Sequence, residues 1–177
     1  ANAELVEEFV SIRENQERQR GAQPSAPFFA SDDDLLQRVK LESWNGLVQF
    51  IVNGIAQTVE QANANAWAGR ISELTVSIEG MWFQAATVGA SHDVHTHGNC
   101  SWSGVYIVQI DDPSLRKAHS VYGAANGVTR LYGPHFTTLG GAFIDVGNAY
   151  LQQPHMDIDQ VEGQLLVFPS WLMHQAM

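Results

Sequence analysis

The sequence predicts an α+β chain in which a helical layer precedes an antiparallel sandwich or barrel. Two observations carry this reading. Apolar residues recur at three- and four-residue spacing through roughly the first seventy positions, and from Ile71 the period falls to two. The strand-like runs that follow are separated by Gly, Pro and Asn with no helical pattern between them, which argues against the alternating order of a parallel sheet.

Ala3 to Gln19 sets Leu5, Val6, Phe9, Val10 and Ile12 on a narrow stripe among Glu and Arg. This is an amphipathic helix that must dock, either on the β core or, as the lesser option, on a second copy in a homodimer. Gly21 to Ala30 carries Pro24 and Pro27 and reads as a connection. Ser31-Asp32-Asp33-Asp34 then offers an N-cap and first-turn negative charge to a second helix running from Asp32 or Asp33 to about Leu41. A third helix is expected from Leu47 to about Trp67, where Leu47, Phe50, Ile51, Ile55, Val59 and Ala62 keep helical spacing between Gly46 and Gly69. Residues 1–70 thus form the helical layer and 71–177 the β core of a single domain.

Strands are expected at Leu74–Glu79, Met81–Val88, Val105–Ile110, Val128–Tyr132, Ala142–Val146 and Gln164–Phe168, all rich in β-branched and aromatic residues. Asp111 to Asn126 and Gly147 to Glu162 are polar and irregular, and read as loops bordering the mouth of a barrel. With 177 residues and 45% hydrophobic content, the chain can bury a core without staples. Its one cysteine, Cys100, allows no intrachain disulfide and suits a reducing, cytoplasmic setting. No run is apolar and long enough for a membrane span. A net charge of −10, with nine scattered Lys and Arg, argues against nucleic acid as a partner.

The chemistry concentrates between His92 and His97, where three of the seven histidines fall within six residues at a strand end. In an extended chain, alternation sets Asp93, His95 and His97 on one face. A second signal closes the sequence. The strand ending at Pro169 turns through Ser170 and Trp171 and presents His174 at the start of another strand. A His-x-His pair followed far downstream by one more histidine is the ligand pattern of a mononuclear metal held on one face of a barrel, with open positions for substrate or dioxygen. The imidazoles must be neutral to ligate. His92 is the lesser ligand candidate, and Cys100 a conceivable thiolate that would favour zinc. His119, His135 and His155 stand alone and read as structural or surface residues. Trp102 and Trp171 are expected to pack the barrel mouth.

His95-Thr96-His97 with Ser103-Gly104-Val105-Tyr106, then Gly127-Val128-Thr129-Arg130-Leu131-Tyr132-Gly133-Pro134, then Phe168-Pro169-Ser170-Trp171-Leu172 and His174, is a combination that resembles the iron(II)/2-oxoglutarate oxygenases of the double-stranded β-helix superfamily. The resemblance spans about Thr87 to His174. It implies a double-stranded β-helix, a jelly-roll or cupin-like barrel, behind the helical layer. It implies Fe(II) and 2-oxoglutarate as cofactors and hydroxylation of a small-molecule or peptide substrate. It also implies that His95 and His174 are iron ligands, with His97 third where most of the superfamily has an acid. Asn99 and Tyr106 are candidates to hydrogen-bond a cosubstrate carboxylate. Relatives anchor the far carboxylate with an Arg or Lys on the strand after the distal histidine. Arg130 is the internal candidate for that role, and the native protein is otherwise expected to continue past Met177 with one more strand. The alternatives are a cupin-like three-histidine enzyme that does not use 2-oxoglutarate, and a non-catalytic metal-binding module.

Overall fold

The computed structural model describes residues 2–21, 27–70, 73–87, 90–133 and 155–177. Helix α1 (Asn2–Arg20) buries Leu5, Phe9 and Ile12 from the predicted stripe and leaves Val10 half exposed. Helix α2 is a single turn, Leu35–Arg38, and α3 (Glu42–Trp67) starts earlier than its spacing suggests because Trp44 already turns inward. The three helices meet in one cluster of Leu5, Phe9, Ile12, Leu35, Val39 and Trp44, bordered by Met81, Phe83 and Val108. Phe9 packs edge-on against Trp44 at 6.1 Å and stacks on Phe83 at 4.6 Å. Each of these large side chains contributes about 1.5–3 kcal/mol by leaving water. The stripe is therefore covered within the chain.

The acidic run before α2 acts differently from the expected cap. Asp34 occupies the N-cap position, but its carboxylate accepts from Arg38 at 2.9 and 3.0 Å rather than from the helix amides. Ser31 and Asp33 clamp another segment: the Ser31 hydroxyl accepts the Phe83 N–H at 3.0 Å, and the Asp33 carboxylate accepts that of Met81. These bonds prolong the pairing of β1 (Phe28–Ala30) with β2 (Gln84–Ala86). The stretch taken for a connection thus holds a short strand. The strand expected over Met81–Val88 narrows to β2, while Leu74–Glu79 joins no ladder although Val76 and Ile78 are half-buried between exposed neighbours.

Strand β3 (Trp102–Tyr106) begins before the predicted Val105 and pairs antiparallel with β6 (Leu165–Pro169). One face of this pair packs on α3. A Cβ at Gly104 would lie 3.8 Å from Ile55, and one at Gly54 would lie 2.6 Å from Leu165, so glycine at position 54 permits the close approach of helix and strand. Ser103, Val105 and Phe168 alternate onto the opposite face.

A three-stranded antiparallel sheet runs β5-β4-β7, with β4 (Val128–Tyr132) where the sequence predicts it and β7 (His174–Ala176) opening on the expected histidine. Strand β5 (His155–Asp159) lies in a segment read as irregular. On its other side β7 is paired by the His92–His95 segment: His92 N–H donates to Ala176 O, and His95 and His174 exchange both backbone bonds, all at 3.0 Å. Strand β7 is therefore paired on both sides from within the chain.

The Asp111–Asn126 loop contains α4 (Pro113–Lys117), capped by Asp112, whose carboxylate accepts from Ser114 N at 2.8 Å. Buried Arg116 ties the loop down by donating to the carbonyls of Asp111, Gly127 and Gln160 at 3.0, 2.7 and 3.3 Å. The expected strand at Ala142–Val146, and His135, lie outside the described residues. Among the described residues the strands do not close into a barrel, and no helix is long and apolar enough to cross a membrane.

Candidate metal centre

The His95–His174 backbone pair fixes the centre. Residues directly opposite in an antiparallel pair project to the same face, so these two rings meet at 4.2 Å between centroids. His97, two residues on, returns to that face, and its N–H donates to Ser170 O at 3.0 Å. Its ring lies 5.1 Å from His95 and 5.0 Å from His174. One ligand-capable nitrogen from each of His95, His97 and His174 falls within 4.8 Å of the others.

Backbone carbonyls set the tautomers. His95 Nδ1 lies 2.7 Å from Asp93 O and His174 Nδ1 lies 3.0 Å from Leu172 O. A carbonyl can only accept, so each Nδ1 carries the hydrogen and each Nε2 keeps its lone pair for a cation. This is the outer-shell arrangement that orients metal-ligating histidines. His174 is 4% exposed, and loss of hydration pushes its pKa down to about 4, with the other imidazoles adding to the effect. Burial also lowers that of His97. Both rings are accordingly neutral at neutral pH.

The acid of the cluster stays out. Asp93 contributes its backbone carbonyl, while its exposed carboxylate is not among the convergent atoms. His92 stacks on Phe28 at 5.3 Å and meets His95 edge-on at 4.1 Å, outside the set of three. Cys100 Sγ lies 3.1 Å from Ser170 Oγ, likewise outside it. Trp171 is 65% exposed rather than packed, whereas Trp82 leans on His97 at 5.6 Å. His119 accepts from Val121 and Tyr122 N–H, a local structural role.

Two of the three cosubstrate candidates, Arg130 and Tyr106, are engaged away from the triad. Leu131 is the residue opposite His174, so the next residue, Arg130, points to the other face of the sheet. There its guanidinium grips Asp157 in a bidentate pair at 2.7 and 2.9 Å and holds that carboxyl below its usual range. Tyr106 faces α3, edge-on to Phe50, and donates to Asn2 Oδ1 at 3.0 Å. Asn99 is exposed in a turn at φ 62°, a left-handed conformation that asparagine tolerates.

The family described as "Putative 2OG-Fe(II) oxygenase" matches residues 80–177, more than half of the chain and all of the triad. The chain belongs to that family. No curated protein matches the sequence. Membership of the 2OG-Fe(II) oxygenase family implies iron(II) and 2-oxoglutarate. The donor set fits the metal, because three imidazoles converge and two of them present a defined Nε2. Arg130 and Tyr106 are engaged by Asp157 and Asn2 instead.

A pH dependence follows for the metal-free chain. Folded His174 titrates near 4 against a usual value of 6.5, so between these values the unfolded chain binds the extra proton. Stability from this group is complete above pH 6.5 and is lost as pH falls towards 4, by about 3 kcal/mol in total. Urea unfolding of parent and His174→Gln in chelator, across this range, should show the smaller loss in the variant. Identical slopes would refute the assignment.

Proposed function

We propose that the chain is an iron(II)- and 2-oxoglutarate-dependent oxygenase, a hydroxylase of a small molecule or peptide, with His95, His97 and His174 holding the iron. The observation that carries this is the convergence of three imidazole nitrogens within 4.8 Å inside the segment that the family covers. The β3–β6 pair and the β5-β4-β7 sheet are read as parts of the two facing sheets of a double-stranded β-helix, with α3 on the outer face of the first.

When bound, iron(II) would supply, together with 2-oxoglutarate and dioxygen as cosubstrates, an oxidant able to hydroxylate a C–H bond. The chain's own residues do the positioning. The carbonyls of Asp93 and Leu172 hold the His95 and His174 rings by their Nδ1–H groups, which leaves both Nε2 lone pairs for the cation. Phe168, 4.6 Å from the His174 ring, covers that ring with an apolar surface and limits its access to water.

A second reading, a cupin-like three-histidine enzyme without 2-oxoglutarate, draws support from the all-nitrogen donor set and from Arg130 being paired on the opposite face. Anaerobic titration of 2-oxoglutarate into the iron(II)-loaded protein separates them. A saturable metal-to-ligand charge-transfer band is expected. Stoichiometric iron without that band would favour the second reading, and absence of any bound metal would leave a non-catalytic module.

A further inference from the structure

We propose that Ser170 is a positioning residue for the metal centre, setting His97 and His174 through the turn that it anchors between β6 and β7. This rests on the reading of the triad as a metal site. Two carbonyls of that one turn act on two of the three ligands. Ser170 O accepts the His97 N–H at 3.0 Å, and Leu172 O accepts the His174 Nδ1–H at 3.0 Å. Displacement of the turn therefore shifts the His97 backbone and the His174 ring, while the His174 backbone stays paired with His95.

The turn is not held by packing on its outer side, since Trp171 is 65% exposed. Polar pins hold it instead. Ser170 is 1% exposed, and its hydroxyl lies 2.8 Å from Ser103 Oγ on β3 and 3.1 Å from Cys100 Sγ. Its N–H donates to Ser101 O at 3.1 Å, and Leu172 N–H closes the turn on Pro169 O at 2.9 Å. Ser103 sits opposite Phe168, on the face that carries Phe168 towards His174. One buried hydroxyl thus ties the turn to β3 and to the bend that follows His97. It has one hydrogen to give, so at least one neighbour must donate to it. Removing it would take the partner from the half-buried Ser103 hydroxyl and release the turn, at a cost of up to about 1–3 kcal/mol. Metal ligands tolerate only about 0.5 Å of misplacement, so a small relaxation is enough to spoil the site.

Cobalt(II) titration of the full chain tests this, because its d–d absorption reports ligand geometry directly. The parent should bind one cobalt(II). Ser170→Ala, with parental far-UV circular dichroism, should bind about 10- to 100-fold more weakly, the range for loss of an outer-shell partner, and with shifted d–d bands. A purely structural role would lower the melting temperature and leave affinity and bands alone, and that result overturns the proposal. Where Ser170→Ala does not fold, Ser103→Ala decides: weaker binding with shifted bands supports the proposal, and parental affinity with parental bands overturns it. A parent that binds no cobalt(II) would instead refute the metal reading beneath it.

Discussion

His95→Ala is expected to abolish stoichiometric iron(II) binding while leaving the fold intact, and His174→Ala to abolish it at some cost in stability. Removing either ring takes a donor from a set of three, so the loss should exceed the roughly 10- to 100-fold seen when an outer-shell partner is removed. The two variants differ in what they leave behind. His95 is half-buried and its backbone bonds to His174 do not depend on its ring. His174 is buried, and its loss orphans the Leu172 carbonyl for about 1–3 kcal/mol. His92→Ala should bind iron like the parent, since its ring lies outside the convergent nitrogens. Equilibrium dialysis with iron analysis checks all three. Parental affinity in either ligand variant would break the assignment, and loss of iron in His92→Ala would move the triad along the strand.

Trp44→Ala should destabilise the chain by about 3–5 kcal/mol, the cost of emptying a large aromatic site in a packed core. Trp44 is 3% exposed and joins α1 to α3 through its edge contact with Phe9. For a chain of this size the melting temperature should fall by about 10 °C, read by circular dichroism. A loss below about 1 kcal/mol would mean that the helices do not share the core described here.

Much of this arrangement was legible beforehand because it is local. The stripe of α1, the residues of β4 and the clustering of His95 and His97 each follow from spacing within a few positions, and Pro169 followed by a turn located His174. What was not legible depends on partners. Phe28–Ala30 sits beside prolines and becomes a strand only because Gln84–Ala86 lies against it. His155–Asp159 is too polar to read as a strand until Arg130 meets Asp157. Arg130 shows the sharpest limit. It stands one position from the residue opposite His174, and in a strand one position exchanges the faces, so only the register with β7 tells which side it serves. Ser31 and Asp33 carried the signature of a cap, yet the amides they satisfy belong to Met81 and Phe83.

The pairing of His95 with His174 also bears on how the chain is made. The two residues are about 80 positions apart, and bringing such ends together costs about 4 kcal/mol of loop-closure entropy. Non-local pairings of this kind are slow to form. During synthesis His95 and His97 leave the ribosome long before His174, and the cluster of α1, α2 and α3 with Met81 and Phe83, whose members all precede His95, can assemble while they wait. The centre is therefore a late event in folding, completed only when β7 docks beside the His92–His95 segment, and a nascent chain halted short of His174 would carry the His-x-His pair without the strand that orients it.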